Sequence, residues 1–307
     1  MTHRTLELAE RRGGLPLEEA ACVLCGDAPK SLLVDDPPFK VWACGGCGMG
    51  FTSPRVRADR LADIYDLGYF SSESAGDFGY ASYSEDAEGY FRTFERKANL
   101  IARHLPSGRV LEIGCAAGFF LKVLERRGYD VHGVEVSGTI LAHARDVLKL
   151  PHLFHGTLDA YPGEPGSFDA VMLWDVVEHL ADPVAVLKQA RTLLKPGGWL
   201  FLQTQDVSSM TRRVLGAKWT HFKQLEHVWH FSPSTIRELL ARAGFETVEV
   251  RKRGAGKDIS VGFIIDRMKR FSGVLHAVAR LFSPWSRKFV YVNPWDEIVV
   301  AARRKDA

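Results

Sequence analysis

Two pairs of cysteines carry the most specific chemical signal in the chain. Each pair has the form Cys-x-x-Cys, and 18 residues separate the first pair from the second. Thiolates at this spacing are typical of a zinc ribbon, in which four sulfurs surround one tetrahedral Zn²⁺. Because such a set leaves no coordination position open, the sequence predicts a structural zinc ion. Its predicted ligands are Cys22, Cys25, Cys44 and Cys47.

A second set combines histidines with a carboxylate. His221, Glu226, His227 and His230 lie just before Phe231-Ser232-Pro233, which is typical of a helix start. A neutral imidazole is the commonest general base in enzymes. We predict His227, supported by Glu226, as a catalytic base, with His230 and His221 as second choices. A metal site is the alternative, although the spacing matches no zinc motif closely.

A third set follows an apolar run that ends at Trp174. Asp175, Glu178 and His179 share one face if they begin a helical turn, because they are spaced i, i+3 and i+4. Such a face offers two kinds of chemistry. His179 is a candidate base for a hydroxyl group, or the three side chains are ligands for a divalent cation. A purely structural His179 that orients the loop is the third interpretation.

The elements that position these residues follow from local patterns. An apolar run at 110–113 predicts a buried strand, the small residues after it predict a tight turn, and a helix is expected from Phe119. A dinucleotide loop would have glycine where Phe119 stands. The next predicted strand ends at Glu135, about 20 residues after the loop, where an acidic side chain typically binds a ribose diol.

These motifs resemble those of a known family. Glu112-x-Gly114-x-Ala116-x-Gly118 resembles motif I of the class I S-adenosylmethionine-dependent methyltransferases, with Ala116 in place of the middle glycine. Segments 156–159, 167–175 and 195–200 match further family motifs in the same order. The resemblance implies S-adenosylmethionine as cofactor and a Rossmann-like α/β fold with a seven-stranded sheet. It implies a cofactor site at Glu112, Gly114, Cys115, Ala116, Gly118, Phe119, Glu135, Val136, Thr157, Leu158, Asp159, Trp174 and Asp175.

The resemblance extends to the N-terminal third of the chain. The cysteine pairs, Ser53-Pro54-Arg55 and Tyr65-Asp66-x-x-Tyr69-Phe70 together resemble a zinc-ribbon branch that acts on small molecules in natural-product and sugar pathways. It implies a ribbon module at 1–54, a linker or lid with helices at 55–105, and a methyltransferase domain at 106–307. Tyr65 and Tyr69 either reach a ligand or pack at the interface.

The last two predicted strands, 246–253 and 297–303, enclose an insert at 258–290. Within it, apolar residues from Ile259 to Phe282 lie near helical spacing and alternate with basic ones, which predicts an amphipathic helix. We expect this helix to pack on the core or to cover the acceptor site. Contact with a membrane surface is the less favoured alternative.

Composition limits the class of partner. The chain has 307 residues, 46% of them apolar, and a net charge of +3, which gives no general nucleic-acid signature. The stretch between the cysteine pairs is acidic rather than basic. Because no signal-peptide core or membrane-spanning run is present in the sequence, and because a metal explains the cysteines, we expect a cytoplasmic protein. The sequence assigns no oligomeric state.

Three functions compete. We favour transfer of a methyl group to oxygen or carbon of a natural-product or sugar intermediate, with a histidine base. The alternative enzyme is an RNA base methyltransferase that holds its substrate with the ribbon, which the charge balance disfavours. The non-enzymatic alternative is a vestigial methyltransferase scaffold. Intact Glu112, Gly114, Gly118 and Glu135 argue against a scaffold.

Overall fold

The N-terminal part of the chain folds as a small antiparallel sheet. The computed structural model describes residues 16–61, 63–66, 87–268 and 273–306. The first strands are β1 (Leu17–Glu18), β2 (Lys30–Asp36), β3 (Phe39–Cys44), β4 (Gly50–Thr52) and β5 (Arg55–Val56). Strand β3 lies between β2 and β4, and β1 pairs with β5. Tyr69 and most of the polar stretch assigned to the linker lie outside the described residues.

Helices and strands alternate through the remainder of the described chain. The helices are α1 (Asp63–Asp66), α2 (Ala87–Ala102), α3 (Phe119–Arg126), α4 (Gly138–Ala142), α5 (Pro183–Leu193), α6 (Met210–Leu215), α7 (Pro233–Arg242), α8 (Val261–Met268) and α9 (Gly273–Ala279). The strands are β6 (Arg109–Ile113), β7 (Asp130–Glu135), β8 (His152–His155), β9 (Phe168–Trp174), β10 (Leu194–Gln205), β11 (Trp229–His230), β12 (Phe245–Arg251), β13 (Lys257–Ser260), β14 (Phe289–Val292) and β15 (Glu297–Arg304).

Seven of these strands form the central sheet, in the order β12-β15-β10-β9-β6-β7-β8. The five strands β10, β9, β6, β7 and β8 run parallel to one another. Strand β15 runs antiparallel to both β10 and β12. The predicted seven-stranded sheet is therefore confirmed.

The central strands are buried on both faces. Residues 170–173 of β9 and 200–202 of β10 have no exposed surface, because helices cover each side of a parallel sheet. Full burial of one leucine or phenylalanine side chain contributes about 1.5–3 kcal/mol. These strands therefore form a rigid base, and the loops at their carboxyl ends carry the side chains of the site.

The described residues of the insert form both strands and helices. Ile259 lies in β13, which pairs with β14, and the described helical residues between them form α8, α9 and a 3₁₀ segment at Arg280–Trp285. β-branched and aromatic residues in β14 favour the strand pairing. Leu281 and Phe282 are exposed rather than packed on the core.

No helix in the described part of the chain is both long and apolar enough to cross a bilayer.

The small N-terminal sheet is not separate from the rest of the molecule. Strand β11 comes from the loop region after β10, yet it pairs antiparallel with β4. The resulting four-stranded sheet has the order β11-β4-β3-β2. A segment of the predicted methyltransferase domain therefore completes the sheet of the predicted ribbon module.

Candidate cofactor and acceptor site

The loop after β6 adopts the tight turns that its small residues predict. Gly114, Ala116 and Gly118 have φ angles of 70°, 45° and 79°. A Cβ on Gly114 would lie 2.6 Å from Val176 Cγ2, so this position requires glycine. The loop then enters α3 at Phe119. Its backbone thus lies at the carboxyl ends of β6, β7 and β9, where ligands bind in open parallel sheets.

Ala116 has a left-handed φ that carries a steric cost for an L-residue. We expect Ala116→Gly to raise the free energy of unfolding by about 0.5–1 kcal/mol, because the relief of strain exceeds the added freedom of the unfolded chain. Urea unfolding of both proteins measures the difference. Ala117→Gly, at the next position with negative φ, serves as the control and should lower stability. A less stable Ala116→Gly would show that the loop is not strained.

Glu135 holds the loop to the end of β7. Its Oε2 accepts a hydrogen bond from the Ala116 N–H at 2.9 Å, and its Oε1 accepts one from the Ser137 N–H at 2.9 Å. Burial raises the pKa of Glu135, and these backbone donors oppose that shift. Each carboxylate oxygen keeps further acceptor capacity. The side chain can therefore also accept hydrogen bonds from a vicinal diol.

Two buried groups of opposite charge lie beside this loop. Glu112 on β6 and Lys97 on α2 are each 3% exposed. Within the described residues, Glu112 Oε2 accepts no hydrogen bond, and Lys97 Nζ lies 4.8 Å from the centroid of the Trp174 ring without a paired carboxylate. Burial raises the pKa of Glu112, and the charge of Lys97 offsets part of that shift. Burial lowers the pKa of Lys97, and the charges of Asp175, Glu297 and Glu112 oppose that shift. A cation and an anion held apart in this way complement a zwitterion.

The remaining cofactor residues predicted from the resemblance lie at the same sheet edge. Leu158 is buried, whereas Thr157 and Asp159 beside it are exposed. Cys115 is buried and its sulfur packs toward Gly133, so only its backbone faces the loop. Phe119 begins α3, and Val136 follows β7. Trp174 ends β9, and Asp175 follows it.

On the acceptor side, three predicted residues converge. Glu178, His179 and His227 each place one carboxylate oxygen or ring nitrogen within 4.8 Å of the others. We call these three residues the histidine cluster. Two imidazoles and a carboxylate at this separation can exchange a proton or bind a divalent cation. Sequence spacing alone did not predict that His227 would join Glu178 and His179.

Hydrogen bonds fix the orientation of both imidazoles. His227 Nδ1 lies 2.9 Å from the His221 carbonyl oxygen, so Nδ1 carries the proton and Nε2 keeps a lone pair. His179 Nδ1 lies 2.7 Å from the Tyr65 hydroxyl and 3.1 Å from the Glu226 carbonyl oxygen. Tyr65 therefore reaches the site. A backbone carbonyl, rather than a carboxylate, orients the His227 ring.

The other predicted catalytic residues lie around the histidine cluster. His221 Nε2 is 3.6 Å from Asp296 Oδ2. His230 is fully buried, and its ring centroid is 6.4 Å from that of His227. Glu226 is buried with a carboxylate oxygen 3.9 Å from Lys223 Nζ. Neither His221 nor His230 belongs to the cluster.

Asp175 does not share a helical face with Glu178 and His179, which corrects the prediction. It has a left-handed φ of 54° and precedes the 3₁₀ turn Val177–His179. Its carboxylate instead accepts a hydrogen bond from Gln203 Nε2 at 3.1 Å and lies 3.5 Å from Lys257 Nζ. Burial raises the pKa of Asp175, but nearby Lys257 and Lys97 bring it down to about 2.

Lys97, Lys257, Gln203 and Glu297 were not predicted as site residues. Gln203 Nε2 also donates to Glu297 Oε2 at 2.9 Å, and Lys257 Nζ is 3.4 Å from Glu297 Oε1. Lys257 comes from β13 in the insert, so the insert contributes a charge to the edge of the site. Of these four residues, only Lys97 could have been recognised from the sequence, because it lies among the apolar residues on one face of α2.

Burial sets the charge of the histidine cluster. It lowers the pKa of His179 to about 4 and that of His227 well below its usual value. Burial, with the nearby charge of Asp175, raises the pKa of Glu178 to about 8. At neutral pH the imidazoles are therefore uncharged and able to accept a proton.

A histidine that is neutral when buried makes stability depend on pH. The unfolded His179 binds a proton near pH 6.5 and the folded one only near pH 4, so its contribution to stability is lost as pH falls through this range. We expect acidification from pH 7 to pH 4 to destabilise the wild type more than His179→Gln, by on the order of 3 kcal/mol. Urea unfolding at both pH values measures this. An equal loss in the two proteins would refute a neutral buried His179.

The four cysteines of the ribbon come together as predicted. All four sulfurs lie within 4.8 Å of one another, and Cys22 Sγ is 3.6 Å from Cys47 Sγ. Burial raises the pKa of the Cys44 thiol, but the backbone N–H groups of Cys47 and Gly46 bring it down to about 7. Four soft thiolates with such donors fit tetrahedral zinc. This cluster is therefore the candidate metal centre.

Comparisons with known proteins bear on the family. A sequence profile described as a methyltransferase domain matches residues 85–250. Ubiquinone biosynthesis O-methyltransferase of Paraburkholderia phymatum is 30% identical over 167 residues, which are 48% of this chain and 68% of that protein. The protein of the same name from Xanthomonas campestris pv. campestris strain B100 is 32% identical over 122 residues, 38% of this chain and 51% of that protein. The chain thus spans about half the length of this relative.

A solved structure supports the fold. Magnesium protoporphyrin IX methyltransferase from Synechocystis PCC 6803, solved with bound SAH, aligns with a TM-score of 0.53 at 17% identity, over 81% of this chain and 100% of that chain. At this identity the likeness shows the fold alone. Together with the profile match and the sheet order, it shows that this chain belongs to the class I S-adenosylmethionine-dependent methyltransferases.

Proposed function

We propose that the protein transfers a methyl group from S-adenosylmethionine to oxygen or carbon of a small-molecule acceptor. One observation carries the proposal. The loop after β6, which Glu135 holds, lies at the carboxyl edge of the sheet, and so does the histidine cluster. Residues that could bind the cofactor therefore lie beside residues that could supply the base. The O-methyltransferase names of the relatives favour oxygen as the acceptor atom.

The described residues offer a complement to each part of the cofactor. Glu135 would accept hydrogen bonds from the ribose hydroxyls, and the Thr157–Asp159 segment after β8 would lie beside the adenine. Glu112 would face the ammonium group of the amino acid moiety and Lys97 its carboxylate, since each is buried without a matching charge in direct contact. When bound, S-adenosylmethionine supplies a methyl group that is already electrophilic.

The acceptor must be aligned with the methyl group, and it must lose a proton. The unprotonated Nε2 of His227 would take the proton of a hydroxyl or an activated C–H group, because Nδ1 donates to the His221 carbonyl. His179 and Glu178 each have a nitrogen or oxygen within 4.8 Å of a His227 ring nitrogen, so a proton taken up by His227 has two further groups close by. Glu178 and His227 are buried and His179 is half-buried, which would limit the access of water to the reaction.

A sugar or other natural-product intermediate suits the site better than RNA. The stretch between the cysteine pairs carries Asp27, Asp35 and Asp36 against Lys30 and Lys40, which is a poor phosphate-binding surface. Lys30 also packs over the Trp42 ring, with Nζ 4.6 Å from its centroid. We therefore propose that the four-cysteine centre holds a structural zinc ion within a small-molecule methyltransferase.

The test is methyl transfer from tritium-labelled S-adenosylmethionine. Purified protein is incubated with a panel of hydroxylated sugars, sugar nucleotides and phenols, and in parallel with RNA transcripts at several salt concentrations. The proposal predicts label in at least one small molecule and none in RNA. Label confined to RNA would favour the base methyltransferase, and binding of the cofactor without transfer to any small molecule or RNA would favour a scaffold.

A further inference from the structure

We propose that the ribbon (residues 16–54) positions the His227 base, with Thr52 as the residue that makes the connection. The inference rests on the proposed role of His227. Thr52 has no exposed surface, and its Oγ1 donates a hydrogen bond to the His227 carbonyl oxygen at 2.9 Å. The Thr52 N–H donates to the Val228 carbonyl oxygen at 3.0 Å. One residue of the ribbon therefore holds two successive peptide groups at the base.

Strand pairing extends this connection along the chain. Phe51 pairs with Trp229 and Gly50 with His230, so β4 pairs with both residues of β11, just after His227. A Cβ on Gly50 would lie 2.8 Å from His230 Cβ, which shows how closely the two backbones approach. The segment 227–230 has few alternatives to this register, because its neighbours on β4 are buried.

The ribbon also contacts the turn that carries the other two cluster members. Arg55, just after the ribbon, donates from Nη1 to the Ala181 carbonyl oxygen at 3.1 Å, and its guanidinium lies 5.2 Å from the Trp229 ring centroid. Trp229 Nε1 donates to the Leu180 carbonyl oxygen at 2.7 Å. These contacts fix the distance between the turn with Glu178 and His179 and the segment with His227.

The metal centre is linked to β4 by backbone hydrogen bonds. The Gly48 N–H donates to the Cys44 carbonyl oxygen at 2.8 Å, and the Cys44 N–H donates to the Met49 carbonyl oxygen at 2.9 Å. Zinc bound to the thiolates would therefore fix the start of β4. A module of this size depends on its metal for much of its folding energy. The structure thus assigns the zinc ribbon a role in ordering the acceptor side of the site.

The test needs no knowledge of the acceptor. Protein labelled with ¹⁵N in its histidine rings gives a nitrogen spectrum in which the tautomer of each imidazole is visible, and loss of one signal set in His227→Gln assigns His227. We expect the wild type to show the Nδ1–H tautomer for His227. Thr52→Val should shift and broaden this signal, and Thr52→Ser, which keeps the hydroxyl donor, should restore it.

Thr93→Val is the matched control, because Thr93 is also buried but its hydroxyl accepts from the Asp258 N–H. It should leave the His227 signal unchanged. Removal of zinc with a chelator should reproduce the Thr52→Val spectrum while calorimetric binding of S-adenosylhomocysteine is retained. An unchanged His227 signal in Thr52→Val or in zinc-free protein would overturn the proposal, as would loss of S-adenosylhomocysteine binding in either. Failure of the wild type to bind it would instead count against the proposed function.

Discussion

Replacement of His227 by glutamine is expected to lower the rate of methyl transfer by about 10²–10⁴-fold, the usual contribution of a general base. The reason lies in the hydrogen bonds of the ring. Because the His221 carbonyl accepts from Nδ1, the lone pair available to take up a proton is on Nε2. Glutamine keeps a polar group of similar reach but cannot take up a proton. The rate is measured as S-adenosylhomocysteine release with the first acceptor that the labelled assay identifies.

Two controls separate catalysis from folding. His227→Gln should bind S-adenosylhomocysteine like the wild type, since the cofactor loop does not contact the ring through any described hydrogen bond. His152→Gln changes an exposed histidine at the start of β8, on the opposite edge of the sheet, and should keep full turnover. Full turnover in both His227→Gln and His179→Gln would mean that neither histidine is the base.

Replacement of Lys97 by methionine is expected to weaken S-adenosylhomocysteine binding by at least about 30-fold. Truncation of one partner of a buried charge pair costs about 2–5 kcal/mol, and each 1.4 kcal/mol is tenfold in affinity. Methionine fills a similar volume over the Trp174 ring, so the fold should persist. Isothermal titration calorimetry measures the two dissociation constants.

A truncated ligand shows which part of the cofactor Lys97 meets. 5′-Methylthioadenosine lacks the amino acid moiety, so its affinity should be the same in the wild type and in Lys97→Met. Lys122→Met, which changes a lysine on α3 that pairs with Glu125, is the matched control and should bind both ligands normally. Equal weakening of both ligands in Lys97→Met would place Lys97 outside the carboxylate site.

The cofactor half of the fold follows from local sequence. The loop from Gly114 to Gly118 and the acidic end of β7 are recognisable because strand, turn and helix signals lie within about 25 residues. The cysteine pairs are recognisable for the same reason. Local pattern does not show that Ala116 adopts a left-handed φ or that Glu135 binds the loop backbone, because both depend on how β6 and β7 pack.

The acceptor half depends on contacts between distant segments. His227 meets Glu178 and His179 in a segment whose next residues, in β11, pair with β4, more than 170 residues earlier in the chain. No periodicity encodes that pairing. Lys97 was missed since a lysine between Phe94 and Ile101 is ordinarily read as solvated. Helical spacing in the insert likewise does not show that Ile259 belongs to β13, which pairs with β14.

We expect this chain to bind S-adenosylmethionine through the loop after β6 and the carboxylate of Glu135. Calorimetric titration of the zinc-loaded wild type and of Glu135→Ala with S-adenosylhomocysteine measures this binding. One binding site per chain is expected in the wild type, with an affinity lower by about 10–100-fold in Glu135→Ala, because hydrogen bonds to a charged acceptor are lost. No binding by the wild type, or equal affinity in both proteins, would contradict this expectation.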